Sequence, residues 1–571
     1  MTTSTFPEAT VRGGGPLWAL AAVAAIVTYA LGLGLDVLEV DAAQYAAIAR
    51  EMSETGGWLE VTDRGEPFLN KPPLLFWLSA LSFRVFGVSN VAYKLPSFLI
   101  FLVGVWSTHR LAARYAGPRA GALSALVLAT CQGAFLMNND VRTDALLMGL
   151  VAFAMWQLAR FLDEPDWPRA AWVGLGLGAA MLAKGLIGAM VPLLGAATHI
   201  ALTRRWDRVL RPEWLLAGVI AAALLTPMTV GLYRQHGADG LEFYFWTQGF
   251  GRVFSENIWG DEHGPFFFVI QMLWTFLPWT LFLGAALWWR FGELRRCGWR
   301  LPSGSEALSL GAFVLGLVGI SASRSKLPHY VYVTLPAAAV LTGTWMATLL
   351  GDGGFGRVLR ISQRVVLAVL AVVLGVLIAW AFPLRSALLW GAIGALTVAV
   401  VLVLAGRVGV IAGDADAASG RAVRLVLGST LAIVAVNLAL NGHLYPTVLD
   451  YQASARAGRD VSAADPPPRT LITYGRGGKA LDFYARRVAV HPTSVDALEL
   501  AVADGRRAAG GAASIWVFTD EPGLDELRSA GVGYTLLATY DDFAVSKITP
   551  RFLNPSARGD ALAEAYLIRL E

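Results

Sequence analysis

The sequence predicts an α-helical polytopic membrane protein with about thirteen spans and a C-terminal α/β domain. The 571 residues are 56% hydrophobic and only 15% charged, a balance too apolar for a soluble protein of this length. Apolar runs long enough to cross a bilayer recur up to about residue 441. Beyond that point they give way to short segments with strand-like alternation or helical periodicity.

About thirteen apolar segments are long enough to cross the hydrocarbon, which takes roughly 20 residues of helix. We interpret the first, residues 16–35, as a retained span, because no small-residue cleavage site precedes the end of its apolar run. Residues 72–87 are shorter and begin with proline, so they predict an interfacial helix rather than a span. The other predicted spans are 95–114, 119–137, 143–162, 170–183, 185–203, 213–233, 265–289, 305–322, 327–349, 363–382, 386–405 and 425–441.

The charges of the loops predict the orientation of these spans. Five arginine-rich loops fall on one side of the membrane, and an excess of Lys and Arg is typical of cytoplasmic loops. The loop at residues 36–71 falls on the other side and carries eight Asp or Glu against three Arg or Lys. We therefore expect a cytoplasmic N-terminus, with the loop 36–94, its interfacial helices and the C-terminal domain outside.

The change in composition near residue 442 predicts two domains, a membrane domain over residues 1–441 and a smaller one over residues 442–571. The proline-rich stretch 463–470 is typical of a linker or domain edge. Four strand-like segments, "TLITYG", "RVAVH", "SIWVFT" and "GYTLLATY", alternate with helical ones, which indicates an α/β domain. The sequence "GRGG" at 475–478 is more typical of a turn than of a phosphate-binding loop.

Polar side chains gather in the loops predicted to lie outside, beside apolar spans, where they are costly and often functional. The first loop contributes Lys71 and also Asp41 with Tyr45, which lie one helical turn apart on one face. The stretch "NNDVRTD" contributes Asp140 and Asp144, which would share a face if this stretch were helical. The remaining candidates are Arg324, Lys326, His329 and Tyr330 in "SRSKLPHY", and Arg252, Glu262 and His263 in the loop before the eighth span.

Each carboxylate or histidine taken singly also has a purely structural explanation. Asp41 followed by Gln44 fits a capping box, which satisfies free N–H groups at the start of a helix. Asp140 could likewise be only a helix cap. His263 could be a solvated loop histidine.

The basic candidates also have a structural alternative, since Arg324 and Lys326 could be snorkelling anchors at the end of a span. Basic groups in three loops, with carboxylates in two others, are harder to explain one at a time. Together they predict a site that holds an anionic lipid head group beside one or two bases. Arg and Lys suit phosphate because they form charge-assisted hydrogen bonds with it.

Five stretches resemble the GT-C class of membrane glycosyltransferases, and in particular the bacterial aminoarabinose transferases, which are related to protein O-mannosyltransferases. Their order and spacing agree with that family over nearly the whole membrane part. The resemblance implies about thirteen spans, a first outer loop with interfacial helices, and an outer C-terminal domain, in the bacterial inner membrane. The stretches are "LEVDAAQYAAIAREM", "GGWLEVTDRGEPFLNKPPLLFWL", "NNDVRTDALLMGLVAFAM", "AKGLIGAMVPLL" and "SKLPHYVYVTLPA".

The resemblance implies roles for individual residues. Asp41 lies where the family has an aspartate essential for catalysis. Asp144 matches a second functional carboxylate, with Asp140 as the alternative, and Lys71 matches a lysine that contacts the lipid phosphate. The resemblance also places Lys326 and Tyr330 in the same cavity, and Arg252 and His263 in the loop that closes the donor site. Of the candidates taken from the residues alone, we assign Arg324 to the donor phosphate, and Tyr45 and His329 to the acceptor cavity.

A divalent metal, zinc or magnesium, is a further implication of the resemblance. The aminoarabinose transferases typically have a metal-binding glutamate directly before the lysine, but this chain has Asn70 there. An amide is a poorer zinc ligand than a carboxylate, so this departure argues against the family's metal site and against a firm choice of sugar. Glu66, Glu262 and His263 remain the candidate ligands.

The predicted function is that of an inverting glycosyltransferase that uses a polyprenyl phosphate sugar, such as undecaprenyl phosphate, on the outer face of the membrane. The expected acceptor is a lipid A-type or other cell-envelope glycolipid, with a protein or a cell-wall glycan as the alternative. A lipid or sugar transporter or flippase is the alternative of a different class, although it would favour inverted repeats and charges at mid-membrane depth. We expect a monomer in contact with membrane lipids, with no nucleotide and no nucleic acid as partner.

Overall fold

The structure is a computed structural model and consists mainly of helices. It describes residues 15–251, 264–302, 304–351, 354–408, 417–511 and 513–570. Three candidate residues from the sequence lie outside the described residues: Arg252, Glu262 and His263.

Helical residues occur within each of the predicted spans and within the predicted interfacial segment at 72–87. In the membrane part the helices are Gly15–Gly34, Asp41–Thr55, Leu74–Phe86, Asn90–Thr130, Gln132–Asn139, Thr143–Asp163, Trp167–Lys184, Ile187–Thr203, Glu213–Glu242, Phe267–Thr275, Thr280–Arg296, Leu308–Ala322, Leu335–Gly351, Arg357–Val376, Ala387–Leu404 and Ala417–Ala439. Eight helical segments of the described chain are long and apolar enough to cross a membrane.

Two local features of the chain account for part of the difference between eight and about thirteen. The 41-residue helix Asn90–Thr130 is one of the eight segments, although it covers two predicted spans. Gly117 interrupts it with non-helical backbone, φ 83° and ψ 171°. Gly117 lies between the second and third predicted spans. The predicted span 265–289 is divided into two helices, and Pro278 lies between them, where its missing N–H disfavours a continuous helix.

The helix Thr143–Asp163 lies at the centre of the bundle, since 89% of its most apolar 18-residue segment is buried. It packs closely against Asn90–Thr130 through glycine. A Cβ atom added to Gly149 would lie 2.4 Å from the carbonyl oxygen of Ile100, and one added to Gly104 would lie 2.6 Å from Gly149 Cα. Small residues let two backbones approach in this way, which is how helices gain packing contacts inside a membrane.

A buried asparagine pair joins three helical regions. The Asn139 amide donates to Asn441 Oδ1 at 2.7 Å, and the Asn441 amide donates to the Thr28 carbonyl at 2.8 Å. Both asparagines are nearly fully buried. Because unpaired polar groups are expensive in an apolar interior, this pair favours one relative position of the helices Gly15–Gly34 and Gln132–Asn139 and of the segment that follows Ala417–Ala439.

The first long loop forms an ordered layer beside the bundle. Helix Asp41–Thr55 is followed by a small antiparallel hairpin of strands β1 (Thr62–Asp63) and β2 (Glu66–Pro67). Helix Leu74–Phe86 then occupies the segment predicted as an interfacial helix. Asp41 and Lys71 therefore lie on one compact unit, each next to the bundle.

The C-terminal part contains a four-stranded sheet formed by β3 (Leu471–Tyr474), β4 (Ile515–Asp520), β5 (Tyr534–Asp542) and β6 (Ala563–Leu570). The spatial order is β3-β4-β6-β5, with β3 parallel to β4 and the other pairs antiparallel. The predicted strand "RVAVH" is wrong, because Val490 makes only an isolated bridge to Ile472. The helices here are Tyr445–Leu449, Ala453–Ala464, Lys479–Tyr484, Val495–Ala508, Glu521–Ser529 and Pro550–Leu553.

The close contact at Gly149 predicts a large difference between two glycine-to-alanine variants. Gly149→Ala should lower the free energy of unfolding by about 1–3 kcal/mol, because the added methyl group overpacks the helix contact. Gly391→Ala is the matched control, since a Cβ there meets nothing within 4 Å, and alanine is the better helix former by about 0.5–1 kcal/mol. Thermal unfolding of both proteins in the same detergent measures the difference, and equal stability would contradict the proposed packing.

Candidate active site

Asp41 is the first residue of the helix Asp41–Thr55, and its carboxylate faces the bundle. The N-cap residue is Val40, whose side chain cannot cap a helix, and the Gln44 amide donates to Asp63 Oδ2 at 2.6 Å instead. The capping-box alternative for Asp41 is therefore wrong. The Asp41 carboxylate is 40% exposed and accepts a hydrogen bond from Arg142 at 2.8 Å.

Arg142 bridges two carboxylates of the site. Its Nη1 donates to Asp41 Oδ2 at 2.8 Å, and its Nε donates to Asp140 Oδ2 at 2.9 Å. Burial by itself lowers the pKa of this guanidinium, but the Asp140 and Asp41 carboxylates outweigh burial and hold the pKa above its ordinary value. Arg142 therefore stays charged at physiological pH and ties the first loop to the membrane bundle.

The backbone between two helices separates Asp140 from Asp144. Asp140 directly follows the helix Gln132–Asn139, whereas Asp144 lies in the first turn of the next helix. Arg142 lies between them with extended backbone, φ −122° and ψ 179°. The expectation that the two aspartates share a helical face is therefore wrong, and they have different partners.

Asp144 is buried, with 2% of its side chain exposed, and it organises three neighbouring groups. Lys184 Nζ donates to Asp144 Oδ1 at 2.5 Å, and His329 Nε2 lies 3.8 Å from Oδ2. The Lys184 ammonium also lies over the Tyr330 ring, 4.2 Å from its centroid, a cation–π contact. Asp144 thus connects the segment "AKGLIG" with the segment "SKLPHY".

Lys71 and Tyr45 bring the first loop to the same cluster. Lys71 is half-buried, and its charge acts on both Asp144 and His329. Tyr45 is buried one turn after Asp41. Burial, with a further contribution from the Asp41 carboxylate, raises the pKa of the Tyr45 hydroxyl well above its ordinary value, so this hydroxyl remains neutral.

Most of the residues predicted from the sequence therefore meet in one cluster: Asp41, Tyr45, Lys71, Asp140, Asp144, His329 and Tyr330. Lys326 is half-buried and Arg324 exposed, both in the segment that leads to His329. Glu66 is exposed on β2, away from these contacts in the first loop. Arg252, Glu262 and His263 lie outside the described residues.

The residues described here do not build a metal site. Within the described ranges, no group of three or more His, Cys, Asp or Glu side chains is placed to hold a metal ion. Of the three predicted ligands only Glu66 is described, and it is exposed. The fit of the described residues to a zinc or magnesium ion is therefore poor, and no chemical step is assigned to a metal.

The C-terminal part contacts the segment that precedes Asp41. The Glu39 carboxylate accepts hydrogen bonds from Ser454 Oγ at 2.6 Å and from the backbone N–H of Lys479 at 2.6 Å. The Lys479 ammonium also donates to Asp63 Oδ2 at 2.7 Å, the same oxygen that the Gln44 amide contacts. The start of the Asp41 helix is therefore held by the C-terminal part on one side and by Arg142 on the other.

Sequence reasoning missed Arg142 and Lys184, although both lie in stretches singled out for other reasons. A signal for Lys184 was available, because a charged residue within or beside an apolar span is often functional and often has a partner of opposite charge. Arg142 stands between two aspartates in "NDVRTD" and was assigned no role. Its partner Asp41 is 101 residues earlier, a separation at which sequence spacing predicts no contact.

The buried pair Lys184–Asp144 predicts strong coupling in stability. Lys184→Met should lower the free energy of unfolding by about 3 kcal/mol, because it leaves a buried carboxylate without its cation. The double variant Asp144→Asn with Lys184→Met should have a smaller decrease in the free energy of unfolding, since no uncompensated charge remains. Chemical denaturation in detergent measures both.

An exposed ion pair provides the control for this experiment. Arg507 and Asp504 form a pair with 79% and 74% of their side chains exposed. Arg507→Met should therefore change stability by less than about 1 kcal/mol. A loss for Lys184→Met no larger than that of Arg507→Met would show that the buried pair contributes nothing beyond a surface contact.

Comparison with known proteins identifies relatives among lipid-dependent glycosyltransferases. Residues 70–232 match the family described as dolichyl-phosphate-mannose-protein mannosyltransferase. The undecaprenyl phosphate-alpha-4-amino-4-deoxy-L-arabinose arabinosyl transferase of Edwardsiella ictaluri (strain 93-146) is 26% identical over 382 residues, 64% of this chain and 66% of that protein. The corresponding transferase 1 of Pseudomonas fluorescens (strain Pf0-1) is 29% identical over 335 residues, 56% of each protein. The alignments thus span less than two thirds of the length of these curated relatives.

The fold agrees over a larger part of the chain than the sequence does. The crystal structure of ArnT from Cupriavidus metallidurans bound to undecaprenyl phosphate matches with a TM-score of 0.69 at 19% identity, covering 97% of this chain and 98% of ArnT. The apo structure of the same protein matches with a TM-score of 0.67. The chain therefore has the fold of ArnT, and its predicted resemblance to the GT-C aminoarabinose transferases is confirmed.

Proposed function

We propose that this chain transfers a sugar, of the 4-amino-4-deoxy-arabinose type, from a polyprenyl phosphate donor to a lipid A-type glycolipid, with inversion at the anomeric carbon. The observation that carries the proposal is the cluster of Asp41, Arg142, Lys71 and the Asp144–Lys184 pair on an ArnT-like fold. The names of the similar arabinosyl transferases support the donor class and the sugar. A protein or cell-wall glycan remains the alternative acceptor.

The proposed topology has about thirteen spans, with a cytoplasmic N-terminus and the cluster at the outer face. The arginine-rich loops support this orientation through the positive-inside rule. The C-terminal α/β domain, residues 442–571, then lies outside the cytoplasm, beside the first loop that it contacts through Glu39. A lipid-linked donor whose head group faces this side needs no nucleotide.

The departing phosphate is the group that the cations act on. During transfer, the acceptor oxygen forms a bond to the anomeric carbon, while the bond from that carbon to the donor phosphate oxygen breaks. The released polyprenyl phosphate keeps the electron pair and gains negative charge. In this proposal Lys71 and Lys326 stabilise this charge, which is larger in the transition state than in the bound donor. Arg252 remains a predicted contact outside the described residues.

Asp41 acts on the acceptor. Among the described residues, the hydrogen bond from Arg142 to Asp41 is accepted by Oδ2. The other carboxylate oxygen, Oδ1, is therefore available to an acceptor group. If the acceptor is a hydroxyl, Asp41 accepts its proton as the new bond forms. If the acceptor is a phosphate, no proton has to be removed, and the carboxylate orients the acceptor or stabilises positive charge on the sugar ring.

Asp140 and Asp144 have positioning roles in this proposal. Asp140 shares the Arg142 guanidinium and so helps to fix the direction of the Asp41 carboxylate. Asp144 is buried and holds Lys184 beside Tyr330. His329 lies beside Asp144, with Nε2 3.8 Å from Oδ2, and Tyr45 is close enough to Asp41 and Asp144 for both charges to act on it.

Replacement of Asp41 tests the chemical part of the proposal. Asp41→Asn removes the charge with little change in shape, so the rate of transfer should fall by about 100-fold or more, as for the loss of a general base. The measurement is turnover of labelled aminoarabinose from undecaprenyl phosphate to lipid A in proteoliposomes. Asp207→Asn is the control, since Asp207 is an exposed carboxylate in another loop, 64% exposed. Wild-type turnover of Asp41→Asn would remove Asp41 from the reaction.

Replacement of Lys71 tests the donor site separately. Lys71→Ala should weaken donor binding by roughly 10- to 100-fold, the loss expected for one charge-assisted hydrogen bond to phosphate. Binding of undecaprenyl phosphate to the purified protein measures this without any transfer. Unchanged affinity for undecaprenyl phosphate would contradict the role of Lys71 at the phosphate.

A separate experiment identifies the acceptor. Mass spectrometry of lipid A, glycoproteins and cell-wall glycans from a deletion strain shows which of them lacks the sugar.

A further inference from the structure

A cavity lined by arginine lies at the end of three consecutive membrane helices. Its volume is about 190 Å³, and its lining includes Arg360, Arg364, Arg421 and Arg424. The first two arginines lie on the helix Arg357–Val376 and the other two on Ala417–Ala439, while Leu404 at the end of Ala387–Leu404 closes the space between them. Four cations from two helices therefore converge on one space.

These arginines differ from those in the other arginine-rich loops. Arg114 and Arg205 both pair with Asp163, and Arg290 pairs with Glu293. Among the described residues, in contrast, no ion pair joins an acidic side chain to any arginine of the cavity. The contacts that two of them make are to backbone carbonyls: Arg364 to Leu404 at 3.3 Å, and Arg360 to Phe355. A carbonyl accepts a hydrogen bond but does not neutralise a positive charge.

The cavity lies far from the candidate active site, at the opposite end of a membrane helix. Helix Ala417–Ala439 begins beside the cavity, and Asn441 follows its far end. Asn441 is hydrogen-bonded to Asn139, the neighbour of Asp140 in the site. The 23 residues of this helix correspond to about 35 Å at 1.5 Å per residue. The cavity is therefore separate from the donor phosphate site, near the other membrane face.

Exposed apolar side chains lie close to the arginines along the same group of helices. Ile361 is 50% exposed, Val365 57% and Val401 59%, and each lies within one or two helical turns of the arginines or of Leu404. On a membrane helix such side chains face acyl chains. A ligand that reaches the arginines from this direction therefore has an anionic head and an apolar tail.

We propose that this cavity binds the phosphate group of an anionic phospholipid from the leaflet opposite the candidate active site. Guanidinium groups bind phosphate oxygens in bidentate fashion and are weakly hydrated, which suits a partly enclosed site. Basic pockets between membrane helices bind anionic head groups by the same chemistry. The bound phosphate contacts arginines of both Arg357–Val376 and Ala417–Ala439, and in this way the lipid stabilises the packing of the last three membrane helices.

Native mass spectrometry of the full-length protein in detergent tests this inference. The lipids are phosphatidylglycerol, as the anionic probe, and phosphatidylcholine, as the zwitterionic one. We expect one phosphatidylglycerol to be retained per protein, and its affinity to fall roughly thirtyfold in the double variant Arg421→Ala with Arg424→Ala, given the contribution of each basic residue to anionic lipid binding. The matched control is Arg296→Ala with Arg300→Ala, which removes two exposed arginines from another arginine-rich loop.

The outcomes separate a specific site from general attraction to the membrane. Equal loss of lipid in the two double variants, or equal retention of the two lipids by the wild type, would overturn the proposal. Inorganic phosphate is the third probe. If it stabilises the wild-type protein against heat as well as phosphatidylglycerol does at the same concentration, the site takes a free anion and the lipid assignment is wrong. Because the readouts are binding and stability, a failure here leaves the proposed transfer reaction untouched.

Discussion

The Arg142 guanidinium is the contact on which the geometry of the site depends. It lies in a three-residue break between membrane helices and holds Asp41 of the first loop and Asp140 of the bundle at 2.8 Å each. The loop carries the candidate acceptor-activating carboxylate, whereas the bundle carries the Asp144–Lys184 pair. Without the guanidinium, two neighbouring carboxylates would repel each other, and the loop would lose its polar attachment to the bundle.

The first loop is held from both sides, which explains how a surface element fixes the position of Asp41, the proposed catalytic group. Glu39, two residues before Asp41, accepts hydrogen bonds from Ser454 and from the start of the helix Lys479–Tyr484. Burial raises the pKa of the Glu39 carboxyl, although these donors oppose the shift. A site built from several segments needs such support, because small displacements of reacting groups reduce rates strongly. The C-terminal part thereby has a structural role in the site besides any contact with substrate.

Much of the fold could be predicted because the bilayer imposes a simple rule on sequence. A span needs about 20 apolar residues, and helical residues occur in every segment that met this condition. A break inside a predicted span was harder to predict, as the region around Pro278 illustrates, whereas the break at Gly117 falls between two predicted spans. The weak strand pattern of "RVAVH" misled in the C-terminal part, where Val490 makes a single bridge, and the last strand, Ala563–Leu570, was not singled out at all.

The sequence by itself determined the length and spacing of the apolar segments and the residue types available in the loops between them, because these follow from local composition. The tertiary structure alone decided which charges meet. Asp41 and Arg142 are 101 residues apart in sequence, and Asp144 and Lys184 are 40 apart. Each pair forms only when the helices pack in the right relative position along their axes. The close contact at Gly149 and the hydrogen bonds between Asn139 and Asn441 restrict that position. Ion pairing depends on distances of a few ångströms, and such distances are a property of the packed bundle rather than of any single segment.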